Sequence, residues 1–318
     1  MLAIRTGLLL LALLAVPALA AEPGSWSKQA PLPGPRNEAA TVAIDGKIYV
    51  LGGSAGGDYQ LTKNEVYDPA TDRWRSLAAL PKGMNHVAAT VLGGTIYEFG
   101  GFTGAQHKGA VDSAFAYDAK SDRWQPLAPL SSPRGSIAVA ALDGKIHIVG
   151  GRGLDDKTVA LHELFDPATG KWTALAPLPS ARDHVSLIAA GGKLHAIGGR
   201  TATPDTNIDL HEVWDPATDT WQKAAPLLTP VSNAAAAIYK GMILLAGGEG
   251  PGQGAAGAFT QAQGYDLAKA SWQKLSPLPT GKHGWTGVAI GDKAYFPGGS
   301  NTNGSSGATA ELMVFSLP

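Results

Sequence analysis

The sequence predicts an all-β protein: a six-bladed propeller of four-stranded antiparallel blades. Three columns of residues, in step with one another, predict it. Paired glycines close a β-like run at Gly52-Gly53, Gly100-Gly101, Gly150-Gly151, Gly198-Gly199, Gly247-Gly248 and Gly298-Gly299, spaced by 48, 50, 48, 49 and 51 residues. Tryptophans keep the same beat at Trp26, Trp74, Trp124, Trp172, Trp221 and Trp272. A third column, aromatic throughout, runs through Tyr67, Tyr117, Phe165, Trp214, Tyr265 and Phe315. A four-stranded sheet cannot bury both faces alone, so sheets recurring every ~40–50 residues stack around an axis.

The elements follow in chain order. Residues 1–20 read as an export signal: Arg5 gives a basic start, Gly7–Val16 is a short apolar run, and Ala18-Leu19-Ala20 offers a small-x-small cleavage pattern. The run is too short to cross a ~30 Å hydrocarbon core. The propeller is then expected over 21–318, in an exported chain, periplasmic or secreted, with no membrane insertion once the signal is removed. Each unit opens with a hairpin such as Ala39–Ile44 and Lys47–Leu51 around Asp45-Gly46. The matching turns are Gly93-Gly94, Asp143-Gly144, Gly191-Gly192, Lys240-Gly241 and Gly291-Asp292, most of them tolerant of the positive φ that two-residue hairpins need. A second hairpin turns at Asp68-Pro69-Ala70-Thr71-Asp72 and its relatives starting at Asp118, Asp166, Asp215 and Asp266. The chain begins with a fourth-strand signature, Trp26 through Pro31-Leu32-Pro33, and ends on a third-strand signature, Glu311–Leu317. Residues 25–32 should pair with 311–317 and complete the sixth blade, hiding two sheet edges.

Composition narrows the chemistry. The 318 residues include no Cys, which excludes disulfides, thiol catalysis and cysteine-ligated metals. A net charge of −1 gives no field for nucleic acid, and none is expected as a partner. The diglycines are not phosphate loops, since no helix and no Gly-Lys-Ser/Thr follows them.

A diglycine after the second strand, an aromatic-Asp pair in the third and a Trp in the fourth resemble the kelch repeat. The resemblance covers Ser25 to Pro318 and recurs in register six times. It implies a kelch-like propeller serving as a binding or interaction module.

Loop parity places the variable segments at one end of the propeller: 54–62, 102–111, 152–160, 200–209, 249–260 and 300–310. A rigid scaffold carrying long loops on one face is where binding residues collect. Sixteen residues before each diglycine, at the start of the innermost strand, stand Arg36, Met84, Arg134, Arg182, Val231 and Lys282; two further on stand Glu38, His86, Ser136, His184, Asn233 and Gly284. Residues two apart in a strand share a face, so both columns are expected to ring the channel mouth. With Arg152 and Arg200 just after their diglycines, this reads as an anion-receptive mouth with Arg forks for a carboxylate or sulfate. The expected partner is an acidic glycan or an acidic peptide. Kelch-type ligase adaptors, which grip acidic peptides with arginines at matching positions, support this expectation by resemblance.

The remaining histidines read as structural. His147 and His195 occupy the second-strand column of Tyr49, Tyr97 and Tyr295, and His162 and His211 precede Glu163 and Glu212. His86, His184 and His283 sit at the mouth in alternate blades, spread around the ring, so no metal or other cofactor is expected. Enzyme families that share the kelch-like architecture can be tested against the sequence. Galactose-oxidase-type copper chemistry is excluded, because its Tyr–Cys crosslink needs a Cys. Exported sialic acid mutarotases carry a Glu directly after one strand-two glycine and an Arg later in the same loop. Gly248-Glu249 resembles the first half of that pattern, while Gly250–Thr260 has no Arg. This resemblance implies, as the alternative, mutarotation of an acidic sugar with Glu249 or His184 as acid/base and Arg182 or Arg200 on the carboxylate. A nitrile-specifier-type Glu-x-x-x-Asp-x-x-x-His run is absent from the sequence.

Overall fold

In the computed structural model the described residues are 22–105, 107–252, 257–304 and 306–318; the expected export signal lies outside them. Among them, six four-stranded antiparallel sheets are arranged in chain order around an axis, each with its first strand innermost. The first blade comprises Ala40–Ile44, Lys47–Leu51, Asn64–Asp68 and Arg73–Ser76, and the next four repeat it. The sixth is made of Val288–Ile290, Lys293–Pro297 and Leu312–Ser316, closed by Ser25–Gln29 from the other end of the chain. Trp26 lies opposite Phe315 and Gln29 opposite Leu312. Pairing is shorter than expected because Pro31 and Pro33 have no N–H, and the Ala30 N–H turns away to donate to Asp72 Oδ1.

Each repeated residue type has a physical reason. Asp45-Gly46, Gly93-Gly94, Asp143-Gly144, Gly191-Gly192 and Lys240-Gly241 all take positive φ at both positions, matching strand twist. The third-strand Asp caps its own turn: Asp68 Oδ1 accepts from Ala70 N–H, and Asp118, Asp166, Asp215 and Asp266 do the same. All six column tryptophans donate their indole N–H to a carbonyl of the preceding blade, as Trp74 does to Ala30 at 2.8 Å. The tryptophans therefore bind blade to blade as well as filling space.

The diglycines are interface residues too. A Cβ on the first glycine of each pair would collide with a lead-in carbonyl of the next blade, at 2.2–2.9 Å: Gly52 with Met84, Gly100 with Arg134, Gly150 with Arg182, Gly198 with Val231, Gly247 with Lys282 and Gly298 with Arg36. In five of the pairs the second glycine donates its N–H to that same carbonyl. The expected packing role of the histidines holds: His147 Nδ1 lies 3.0 Å from His162 Nε2, and His195 Nδ1 lies 2.8 Å from His211 Nε2, within aromatic layers between blades. Burial lowers all four imidazole pKa values, to about 4 for His147 and His162. No helix among the described residues is long and apolar enough to cross a membrane.

Candidate functional site

The three residues leading into each innermost strand decide the site. Glu38, His86, Ser136, His184, Asn233 and Gly284 all have φ between 50° and 63°. That left-handed residue breaks the strand before it starts, and the preceding column turns into the blade. Arg36, Met84, Arg134, Arg182, Val231 and Lys282 are accordingly no more than 2% exposed. Arg36 pairs with Glu65, Arg134 with Glu163, Arg182 Nη1 with Glu212 Oε2 at 2.6 Å, and Lys282 Nζ with Glu311 Oε2 at 2.7 Å. Burial pulls the Arg36 guanidinium down to about 10 and lowers Arg182 and Lys282 as well. The expectation that both columns share the channel face is corrected: the kink separates them, and these four cations are internal ion pairs.

Arg152 and Arg200 do reach the loop end but are also engaged. Arg152 Nε donates to Asp183 Oδ2 at 2.6 Å, its Nη1 to Asp156 and its Nη2 to the Ala202 carbonyl. Arg200 pairs with Glu249, its Nε lies 3.4 Å from Asp183 Oδ1, and its Nη2 lies 3.3 Å from His184 Nε2. Asp183, fully buried, is the shared anion of both. The anion-receptive mouth expected of Arg36, Arg134, Arg152, Arg182, Arg200 and Lys282 is therefore not formed, because each has its own carboxylate.

The left-handed column forms the mouth. Its six backbone N–H groups donate around the ring to the carbonyls of their counterparts: Glu38 to Gly284, Gly284 to Asn233, Asn233 to His184, His184 to Ser136, Ser136 to His86 and His86 to Glu38, at 2.7–3.3 Å. These residues line a cavity of about 150 Å³ together with the first residues of the inner strands. Asn233 Nδ2 donates to Glu38 Oε1 at 2.9 Å, and Glu38 Oε2 faces His86 Nε2 at 3.3 Å. Burial pushes the Glu38 carboxyl up, against the opposing pull of His283 and Asn233.

Three imidazoles crowd one side. His86, His107 and His184 have ring centroids 4.9, 5.1 and 5.2 Å apart, and one ring nitrogen of each lies within 4.8 Å of the others. Burial brings His86 and His107 down to about 3 and His184 well below its usual value, so all three are neutral. His86 and His184 meet across the narrow orifice, although two blades separate them in the chain. His283 stands apart from them, 3.9 Å from Glu38 and 3.7 Å from Glu249. These three neutral imidazoles are the described groups able to hold a metal.

Of the residues expected at the site, Glu38, His86, His184, Asn233, Arg200, Arg152 and Glu249 are brought together, while Arg36, Arg134, Arg182 and Lys282 are withdrawn. The sequence reading missed Asp183 and Asn85, which occupy the middle lead-in position, and His107. The residue after each diglycine bridges to that middle position, as Arg200 does to Asp183 and Glu249 to Ser232. Pairing the two columns by register would have found Asp183. His107 comes from a loop without a repeat counterpart and carried no such signal.

This fold and its repeat columns define a kelch-type propeller. The KLHDC2/KLHL20/DRC7 Kelch-repeats domain matches residues 18–199, more than half of the chain. The chain belongs to the kelch-repeat family, whose general role is that of a binding or interaction module. It is similar to the Kelch-like protein terF of Aspergillus terreus, 47% identical over 53 residues, which span 15% of this chain and 12% of that protein. The solved structure of YjhT superposes with a TM-score of 0.76 at 20% identity, over 91% of this chain and 97% of that one.

Proposed function

We propose that this exported kelch propeller binds a small, hydroxyl-rich ligand such as a sugar at the loop-bearing mouth of its channel. The observation that carries the reading is the ring of unlike polar side chains over one cavity: a carboxyl at Glu38, an amide at Asn233, a hydroxyl at Ser136 and imidazoles at His86 and His184. Together they offer donors and acceptors in the directions a polyol needs. An acidic glycan or peptide would have to take Arg200 from Glu249 and Asp183. A charge-assisted bond is worth about 1.5–3 kcal/mol, so exchanging one carboxylate for another gains little. Neutral hydroxyl-rich ligands are favoured over the acidic ones expected from the sequence.

A glycan array followed by calorimetry on matched neutral and acidic sugars tests this. Neutral hits should weaken at least tenfold, about 1.4 kcal/mol, on Asn233→Ala or Glu38→Gln. Acidic sugars binding tenfold better than their neutral counterparts would reverse the preference.

One observation favours a second reading, anomer exchange. The arginine that Gly250–Thr260 lacks is supplied across the blade interface, where Arg200 pairs with Glu249 beside His184. A base there would take the proton of the anomeric hydroxyl while an acid protonates the ring oxygen, so that the carbonyl forms as the ring C–O bond breaks and the ring can reclose on the other face. NMR exchange between anomers of reducing sugars should then be accelerated, and slowed about 100-fold by Glu249→Gln. Exchange at the buffer rate would discard catalysis and leave the binding reading standing.

A further inference from the structure

We propose that His86, His107 and His184 form a binding site for a borderline divalent transition-metal ion, with Glu38 as the oxygen donor beside them. The inference shares His86, His184 and Glu38 with the sugar reading but does not rest on it, since His107 and the metal probe belong to this site alone. Two blades bring three imidazoles together at the mouth: His86 and His184 from the lead-ins of the second and fourth blades, and His107 from the second-blade loop. The three rings meet nearly edge to face, at interplanar angles of 70°, 88° and 78°. Mutual packing alone does not require that all three present a nitrogen within 4.8 Å of the others.

Three further features fit ligation. His107 sits at φ 61°, a left-handed conformation that a non-glycine residue rarely takes, and its ring is thereby placed against His86, Phe102 and His184. The Nδ1 atom of His86 has an oxygen partner behind it, Asn85 Oδ1 at 2.5 Å, while His184 Nδ1 lies 3.2 Å from Asp183 Oδ1 without a hydrogen bond between them. At His86 that outer partner, holding Nδ1–H, fixes the tautomer and leaves the Nε2 lone pair facing the orifice, the arrangement found behind metal-bound histidines. Finally, Glu38 Oε2 stands 3.3 Å from His86 Nε2. Two ligands of a tetrahedral ion with bonds of 2.0–2.1 Å are separated by about that distance.

The donor set selects the ion. Imidazole nitrogens with one carboxylate suit Zn²⁺, Cu²⁺, Ni²⁺ and Co²⁺, whereas Mg²⁺ and Ca²⁺ want oxygen throughout. Binding asks the rings to draw together and asks Arg200 Nη2 and Ser136 Oγ, each 3.3 Å from His184 Nε2, to release it. Arg200 remains neutralised by Glu249 and Asp183, and Asp183, Glu38 and Glu249 offset the incoming charge.

The test uses the tag-free chain, stripped with a chelator, titrated with Zn²⁺ by calorimetry and with Co²⁺ by visible absorption. The expected result is one Zn²⁺ per chain with submicromolar affinity, a tetrahedral Co²⁺ spectrum, and no competition from millimolar Mg²⁺. His107→Ala lies on a loop and should leave the melting temperature in place while weakening Zn²⁺ at least 100-fold; Glu38→Gln should weaken it about tenfold. No stoichiometric binding, or binding that His107→Ala leaves unchanged in a chain with native melting, would overturn the proposal. Equal affinity for Mg²⁺ would overturn it as well.

Discussion

Glu98 shows how a single residue depends on its neighbours in a repeat. It lies in the second strand of the second blade, in a row that otherwise reads Val50, Ile148, Ala196, Leu245 and Phe296. Its carboxyl is fully buried, and neither oxygen has a hydrogen-bond partner. Blades one, three and four place an Arg and a Glu inside, but here the corresponding positions are Met84 and Phe115, with Phe115 directly opposite Glu98. Burial therefore raises the carboxyl well above its usual value, only partly offset by Lys82. A carboxyl with a raised folded-state pKa is protonated in both states below about 4.5, and folding loses stability as pH climbs from there through the folded pKa. Glu98→Leu should accordingly stabilise the protein at pH 8 by about 1–3 kcal/mol, the cost of an unsatisfied buried polar group, and by less at pH 5. Urea melts at the two pH values check it; an equal gain at both would contradict the titration argument. A Glu in an apolar row is visible in the sequence. That it has no partner depends on which side chains face it, and the row alone does not say.

At the level of elements, two kinds of glycine share a conformation and differ in surroundings. Gly191 opens a two-residue turn at φ 58° with nothing near a Cβ, and Asp45, Asp143 and Lys240 stand at its counterparts. Gly247 has φ 68°, but its Cβ would lie 2.2 Å from the Lys282 carbonyl in the next blade. Gly191→Ala should therefore cost about 1 kcal/mol, for backbone conformation alone. Gly247→Ala should cost roughly 2–4 kcal/mol, because a blade must move. Urea denaturation of both variants gives the comparison, and equal losses would mean that interface contact does not explain the diglycines. The strands, the turns and the diglycines were legible in the sequence because their residue types answer local demands that recur every blade. The kink before each inner strand was not, since Glu38, His86, Ser136, His184, Asn233 and Gly284 share a backbone conformation without sharing chemistry. Missing it sent Arg36, Arg134, Arg182 and Lys282 to the wrong side of the strand.

Across the whole molecule, closure rests on one strand. Ser25–Gln29 covers the Leu312–Ser316 edge and brings Trp26 against Phe296 and Phe315. Removing residues 21–33 should lower the melting temperature sharply and produce associated species in size-exclusion chromatography, because an unpaired edge recruits another. A truncated chain that stays monomeric with unchanged melting would refute single-strand closure. The seam could be read from the sequence, because a fourth-strand signature at one terminus and a third-strand signature at the other make one blade between them. The mouth was only half legible: its columns have a period, but His107 belongs to a loop that has none. The circle of six peptide hydrogen bonds at that mouth has a consequence for any guest. Every link gives to one neighbour and takes from the other in the same rotational sense, so no blade can widen its share of the aperture alone. A guest that pulls one lead-in outward must therefore stretch the two peptide links that tie it to its neighbours.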